Sequence, residues 1–330
     1  MNTINFFSAF HTGDVFASKE FVRQVRNELT DFNFGYYHKN HPKIMKDLDM
    51  PYMGPTNLHD FPQAGRYIES RDGKILKINT WIGAFNPRWQ PEPPYYFEYD
   101  GGPVPAYGTN LISLSCVWGH IFEKINDYFG TSLKLKDKMD YIPTIDYNFF
   151  DITSHQKFIE ERGNTKKVLF CNGLPMSGQS IPNDMADVIN HFAKEYPQYD
   201  FICAKKINTT LDNVFFTDDI IIPNDEIYDL STVNWNDREI GNCDLNEISY
   251  LSNHCDLIVG KQSGPFCYCA TRENLMNPNK YMIAFSKTAD DAIAYGLDIE
   301  CDYLLSADHD DYCNNTQYVI DTIGEKLCLI

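Results

Sequence analysis

Apolar and polar positions alternate along the chain in two rhythms. Short apolar runs bounded by polar or glycine-bearing stretches predict buried strands. Apolar residues recurring every three or four positions between those runs predict amphipathic helices. Residues 3–10 (Thr-Ile-Asn-Phe-Phe-Ser-Ala-Phe) predict a first strand, followed by the loop His11-Thr12-Gly13-Asp14. Ser18 is placed to cap a helix that carries Phe21, Val22, Val25 and Leu29 on one face, and 32–37 predicts a second strand. This β-loop-α-β opening favours a parallel sheet. Residues 39–64 read as loop with one short helix. Residues 67–82 read as a hairpin turning at Asp72-Gly73. The stretch 86–108, dense in proline and aromatics, reads as irregular, and Leu111, Leu114, Trp118, Ile121, Ile125 and Tyr128 mark a long helix after it.

Charged, period-free sequence between about 135 and 165 separates this pattern from a second one. There, 167–171, 200–204, part of 214–222, 256–260 and 281–285 predict strands. Helical stripes lie over 185–196, 245–255, the residues from Gly264 to Asn274, and 316–327. The expectation is two successive α/β domains, residues 1–150 and 151–330. In such sheets ligands bind beyond the carboxyl ends of the strands. Attention therefore falls on loops 11–18, 172–183, 205–213 and 260–266.

Composition narrows the chemistry. With 28 Lys plus Arg against 46 Asp plus Glu, the net charge is −18, a field that repels a nucleic-acid backbone. No apolar run is long enough to span a membrane, and the amino terminus lacks the basic region of a signal peptide. Ten scattered cysteines, without a C-x-x-C or a His/Cys array, read as reduced, mostly buried thiols of a cytoplasmic protein and argue against structural zinc.

The turn Gly260-Lys261-Gln262-Ser263-Gly264-Pro265 joins a strand to a helix. Unpaired N–H groups at such a helix start, close approach at glycine, the Lys261 charge and the Ser263 hydroxyl suit a diphosphate without a metal. The same residues also suit an ordinary strand-helix turn with Pro265 in the first helical turn. Asp14 has two readings, a carboxylate base for a sugar hydroxyl or a helix cap, with His11 as the rival base. Gly13 lets a substrate approach the backbone. His38 and His41 follow the second strand, where they can meet a phosphate or an acceptor or lie in a surface loop. Trp89 and Tyr95, in the aromatic segment, are candidates for an acceptor surface or lid. Asp308, His309, Asp310 and Asp311 read as solvated charge rather than a metal site.

Asp256-Leu-Ile-Val-Gly260, Ser263-Gly264-Pro265 and the helix before them resemble the carboxyl-terminal domain of the heptosyltransferase-like glycosyltransferases of family nine, of the GT-B class. Gln262 and Cys267 replace that family's acidic residue and histidine, so its donor sugar is not carried over. Gly13-Asp14 resembles the family's amino-terminal Gly-Asp, which implies Asp14 as the general base. The resemblance implies two Rossmann-like domains facing each other across a cleft, with the last helix packing back on the first domain. It implies a nucleoside-diphosphate sugar donor, inverting transfer with no metal or other cofactor, and an oligosaccharide or polysaccharide acceptor of surface-glycan type. Peripheral association with a membrane face fits such an acceptor. In GT-B enzymes the loop after the second domain's first strand faces the donor phosphates, which implies roles for Ser177, Gly178 and Gln179. Lys205, after the next strand, can supply the positive charge this loop lacks. A sugar-nucleotide 2-epimerase or pyruvyl transferase of similar fold, or a non-catalytic nucleotide- or sugar-binding protein, remains an alternative.

Overall fold

The strand pattern becomes two sheets. The computed structural model describes residues 1–54, 56, 65–85, 96–99, 102–105, 111–173, 185–220, 244–261, 263–286, 301–305 and 316–330. Contacts divide these residues into two units, one ending at Thr144 and the other beginning at Ile145.

In the first unit, β1 (Thr3–Ser8) lies between β2 (Asn33–His38) and β4 (Ile75–Asn79), parallel to both. β3 (Tyr67–Glu69) pairs antiparallel with β4 through the expected hairpin, giving the order β2-β1-β4-β3. The central position of β1 explains why Ile4, Asn5, Phe6, Phe7 and Ser8 are all buried, since such a strand is covered on both faces. Helices α1 (Thr12–Ala17), α2 (Lys19–Glu28) and α3 (Leu111–Phe129) complete the unit. Phe21 of α2 lies flat against Trp118 of α3, ring centroids 4.9 Å apart, and against Tyr141, 3.8 Å away. One cluster of charge is buried beside these rings. Lys19 and Asp47 meet at 2.7 Å with both side chains sealed from water, and Arg23 adds a second contact to Asp47. Burial pulls Lys19 below its ordinary value while the Asp47 carboxylate opposes the shift.

In the second unit, β7 (Lys167–Cys171), β8 (Asp200–Cys203), β9 (Val214–Phe216), β10 (Leu257–Lys261), β11 (Tyr281–Ser286) and β12 (Cys301–Leu305) form one parallel sheet. The order is β12-β11-β10-β7-β8-β9. Counted from β7 this is 3-2-1-4-5-6 read backwards, the strand order of doubly wound Rossmann sheets, with the direction of winding reversing between β7 and β10. Helices α5 (Ala186–Glu195), α7 (Leu245–Ser252), α8 (Gly264–Cys269) and α9 (Arg272–Leu275) follow or connect the strands. Two buried lysines close helix ends. Lys167 Nζ donates to the carbonyls of Gly163 and Thr165 just past α4 (Thr153–Arg162), and Lys280 Nζ donates to Ser252 O at the end of α7. A cation at orphaned carbonyls satisfies them and matches the negative end of the helix dipole.

Several expectations are corrected. The first helix starts earlier, as α1, and Ser18 makes no cap bond. It lies between α1 and α2, and its hydroxyl bonds backwards to Val15 O. Within the proline-rich stretch, β5 (Tyr96–Tyr99) and β6 (Gly102–Pro105) pair as an antiparallel hairpin. A two-stranded ribbon tolerates Pro103 and Pro105 because its outer edges need no N–H donors. The strand near 214 ends at Phe216 and gives way to α6 (Thr217–Ile220), and the helix from Gly264 breaks between α8 and α9. The last helix, α10 (Thr316–Leu327), packs with Val319, Ile323 and Leu327 in the second unit's core beside Phe192 and Val259.

Candidate active site

In the first unit the site is built at the carboxyl ends of β1, β2 and β4. Asp14 stands in the first turn of α1, mostly buried. Burial lifts its carboxyl from 3.8 to about 6, against the pull of backbone N–H groups at His11 and Asp14 and of the Lys39 charge. His11 occupies the N-cap position without a side-chain cap bond, and its carbonyl accepts the Asp14 and Val15 N–H groups. Gly13 is the second residue of α1.

Asn40 fixes this loop. Its Nδ2 donates to Phe10 O at 3.1 Å, and its Oδ1 accepts from Thr12 Oγ1 at 3.0 Å. His38, expected at an acceptor or on the surface, is sealed inside at 1% exposure, because β2 ends against β1 and Tyr52 covers the ring. Burial pushes it down to about 3, so it is neutral at physiological pH. Its Nδ1 faces Asn40 O at 3.1 Å. A carbonyl only accepts, so Nδ1 carries the proton. His38 thus faces the main chain of Asn40 from inside the unit rather than lying in a surface loop.

Beneath α1 runs a buried hydroxyl chain. Ser18 Oγ contacts Val15 O and Tyr36 Oη, Tyr36 Oη contacts Thr80 Oγ1 at 2.5 Å, and Thr80 Oγ1 contacts Phe7 O. Ser18 Oγ donates to Val15 O, and Phe7 O accepts both the Thr80 N–H at 2.9 Å and the longer 3.3 Å contact from Thr80 Oγ1, with Tyr36 Oη bridging the two hydroxyls. The chain ties α1 to β2 and to the end of β4, and burial raises the Tyr36 phenol to about 12, so it stays a neutral donor. Beside it, Phe10 stacks on Trp81 with centroids 3.6 Å apart and planes at 12°.

In the second unit the site lies where the winding reverses, at the exits of β7 and β10. Asn172, just past β7, is fully buried. Its Nδ2 donates to Lys205 O at 3.0 Å and its Oδ1 accepts the Lys205 N–H at 2.9 Å, clamping the exit of β8. The Lys205 side chain is exposed there, and Lys206 pairs with Asp219 at 2.5 Å. At the exit of β10, Ser263 is the N-cap of α8 with extended backbone, φ −141° and ψ 168°, yet makes no side-chain cap bond. Its hydroxyl is buried, with no hydrogen-bond partner among the described residues. Gly264 and Pro265 form the first turn behind it. Gly260 has a different task. A Cβ there would lie 2.4 Å from Phe266 Cδ2 and 2.8 Å from Cys171 Cβ. The missing side chain lets α8 sit close on β10 and β7, the helix-to-strand packing role of a glycine in such folds.

Asp244 was not singled out by sequence reasoning. It precedes α7, and its Oδ2 accepts from Thr217 Oγ1 at 3.2 Å. Burial, together with the nearby Glu247 and Asp218 charges, lifts its carboxyl to about 7. The signal was present as Asp-Leu-Asn-Glu before a helix, but nothing in that spacing shows that Glu247 is buried or that Thr217 is near. Ser177, Gly178, Gln179, Gln262, Trp89, Tyr95 and the Lys261 side chain lie outside the described residues. Among the described residues no group of His, Cys, Asp and Glu is arranged to hold a metal ion, and no helix is long and apolar enough to cross a membrane.

No protein-family model matches the chain, and no curated protein does. Among solved structures it is similar to a glycosyl transferase of family 9 from Veillonella parvula, at 11% identity over 99% of this chain and 97% of the other, TM-score 0.47. It is similar to the heptosyltransferase WaaC of E. coli with ADP, at 10% identity over 98% and 99%, TM-score 0.46. It is also similar to a UDP-GlcNAc 2-epimerase from Neisseria meningitidis bound to UDP-GlcNAc, at 12% identity over 98% and 91%, TM-score 0.43.

Proposed function

We propose that the chain is a glycosyltransferase that moves a sugar from a nucleoside-diphosphate sugar to a glycan acceptor, with inversion and without a metal. The observation that carries this reading is the second sheet: six parallel strands in nucleotide-binding order, with the buried Ser263 hydroxyl, unpartnered among the described residues, at the point where the winding reverses. Ligands of such sheets bind at that point. The diphosphate is assigned to the turn from Lys261 to Pro265, where main-chain N–H groups and the Ser263 hydroxyl meet its oxygens. Lys261 and Lys205 supply positive charge to the leaving group. Because α8 has only six residues, the local N–H groups carry this role rather than a long helix dipole.

Asp14 is assigned as the general base. A carboxyl poised at about 6 is mostly ionised at neutral pH yet basic enough to take a proton from an attacking hydroxyl. In the transfer, the acceptor oxygen bonds to the anomeric carbon as the bond to the diphosphate oxygen breaks. The hydroxyl proton passes to Asp14 and the bonding pair leaves with the diphosphate. The acceptor is a sugar chain, and the reading places the enzyme in the cytoplasm, peripheral to a membrane.

One observation favours a second reading. Asp244 and Glu247 form a carboxyl pair in the nucleotide-binding unit, with Asp244 at about 7, the kind of pair that proton transfer on a bound sugar nucleotide requires. An epimerase would consume donor with no acceptor present and would depend on Asp244 rather than Asp14.

The test is thermal melting with UDP, GDP, ADP and CMP, with and without Mg²⁺, followed by turnover of the stabilising nucleotide's sugars. A ligand at 100 times its Kd stabilises by about 2.7 kcal/mol. Stabilisation without Mg²⁺, and loss of turnover but not of nucleotide binding in Asp14→Asn, are expected. No stabilisation by any nucleotide would overturn the assignment.

A further inference from the structure

His11 lies between two residues that are held by one side chain. Phe10 O accepts from Asn40 Nδ2 at 3.1 Å, and Thr12 Oγ1 donates to Asn40 Oδ1 at 3.0 Å. Asn40 is only 2% exposed, so little water competes for its amide. The way that amide faces is forced. Phe10 O can only accept, so the nitrogen must meet it, and the oxygen is left for the Thr12 hydroxyl. Thr12 is the first residue of α1, and His11, at the N-cap, has extended backbone with φ −72° and ψ 164°. The His11 carbonyl accepts the Asp14 and Val15 N–H groups at 3.1 and 3.3 Å. Contacts on either side of His11 therefore set where that carbonyl stands, and with it the turn that carries Asp14. We propose that Asn40 is a positioning residue, a brace that fixes the Phe10–Thr12 turn and through it holds the Asp14 carboxyl in place for transfer.

The brace is rooted in the sheet rather than in the loop it holds. His38 ends β2, in register with Ser8 at the end of β1, and its Nδ1–H donates to Asn40 O at 3.1 Å. Tyr52 Oη donates to His38 O, also at 3.1 Å. The far end of α1 is tied to the same strand, through the contact between Ser18 Oγ and Tyr36 Oη at 3.0 Å. Such ties matter because α1 has six residues, far fewer than a helix needs to persist by itself in water. Both ends of a helix too short to hold its own shape are thus pinned by side chains of β2 or its exit. A base that takes a proton from an attacking hydroxyl must stand within hydrogen-bond reach of it, and a misplacement of about 1 Å can cost about 10²-fold. This consequence for transfer rests on the Asp14 reading above.

The test uses the full chain and two substitutions that leave Asn40 untouched. Thr12→Val removes the hydroxyl, and Thr12→Ser keeps it. Hydrogen exchange across residues 10–17, read by mass spectrometry, reports on the start of α1 without reference to activity. In Thr12→Val the Asp14 and Val15 amides are expected to exchange about five- to tenfold faster, the weight of one hydrogen bond, with Thr12→Ser close to the native rate. Asn40→Ala, which removes both contacts, is expected to exceed Thr12→Val. If it does not fold, the Thr12 pair decides alone. Sugar transfer by Thr12→Val is expected to lose roughly 10- to 100-fold in kcat while KM for the donor stays within about twofold, and Thr12→Ser is expected to restore kcat. A role in stability alone would lower the melting temperature and leave kcat per folded molecule native. Thr12→Val added to Asp14→Asn is expected to slow transfer no further, because the brace acts through that carboxyl. Native exchange in Thr12→Val, native kcat there while Asp14→Asn is inactive, or equal losses in Thr12→Val and Thr12→Ser overturns the inference. Full turnover in Asp14→Asn sinks the base assignment, and faster exchange in Thr12→Val then leaves the brace on the turn standing. Native exchange in Thr12→Val with turnover abolished in Asp14→Asn does the reverse.

Discussion

In Asp14→Asn, the carboxyl that burial holds near 6 is exchanged for an amide of the same shape that never ionises. In the unfolded chain Asp14 titrates at its ordinary 3.8, and in the folded chain at about 6. Below 3.8 both states are protonated and the residue adds no pH dependence. Between 3.8 and about 6 the unfolded chain gives up its proton first, so stability falls as pH rises. Above about 6 the folded protein carries the whole cost of a desolvated carboxylate. Full burial would put that cost near 3 kcal/mol. Asp14 keeps some solvent access, so about 1–3 kcal/mol is the working range. The amide removes it, and at pH 7.5 the variant should melt higher by roughly 2–8 °C if the first unit melts as one cooperative block of its size. Urea titrations at pH 7.5 and pH 4.5 check this. The gain should be large at the first and small at the second, because only the ionised carboxyl is penalised. Turnover in the same preparation should drop by roughly 10²–10⁴, the share of a general base. A gain of equal size at both pH values would show that ionisation is not its source. A loss of stability at pH 7.5 would show that the carboxylate is held by partners strong enough to outweigh its burial, and the argument for a poised base would fail.

Two further outcomes follow from the packing. Gly260→Ala should cost about 1–3 kcal/mol, because Phe266 and the Cys171 Cβ on β7 must yield to the new methyl. Phe266→Leu in the same chain should recover part of that cost in urea unfolding, whereas a ligand-contact role for Gly260 would leave stability untouched and weaken only nucleotide binding. Tyr36→Phe removes the middle of the hydroxyl chain and should cost about 1–3 kcal/mol, since Ser18 and Thr80 lose a partner out of reach of water. Thr80→Val together with Tyr36→Phe should cost less than the sum of the two single changes, as a double-mutant cycle will show.

The elements were legible where the information is local, and were missed where a neighbour decides. A run such as Val168-Leu-Phe-Cys171 has no soluble alternative to a buried strand, and the stripe Val319, Ile320, Ile323, Leu327 has none to a packed helix. Cys301-Asp-Tyr-Leu-Leu305 is ambiguous by itself and becomes a strand because the edge of β11 is open to it. The string Tyr-Tyr-His-Lys-Asn-His-Pro reads as polar surface, yet the parallel register Ser8↔His38 carries His38 inside. The partners that hold the two sites are separated by 28 positions for Thr12 and Asn40, by 33 for Asn172 and Lys205, and by 44 for Tyr36 and Thr80. No spacing rule reaches across such gaps.

One regularity in the sites does lie within reach of sequence. A chain leaving a parallel strand carries N–H and C=O groups past the end of the ladder, and in a buried exit those groups need partners. A single asparagine offers one donor group and one acceptor on the same short arm, so it can answer a carbonyl and a donor from a neighbouring exit together. Asn172, immediately after β7, does this for the main chain of Lys205. Asn40, just after β2, does it for Phe10 O and the Thr12 hydroxyl. An aspartate of equal length would lack the donor, and it would bring into each site a buried negative charge. At Asn172 that charge would stand beside the proposed phosphate turn, and at Asn40 beside Asp14. The choice of amide therefore serves the fold and the charge balance of both sites at once. Asn172→Asp should accordingly weaken nucleotide binding more than Asn172→Ser does, although the aspartate is the closer match in shape. Equal losses in the two variants, measured by thermal shift against the same nucleotide, would reduce Asn172 to a packing residue.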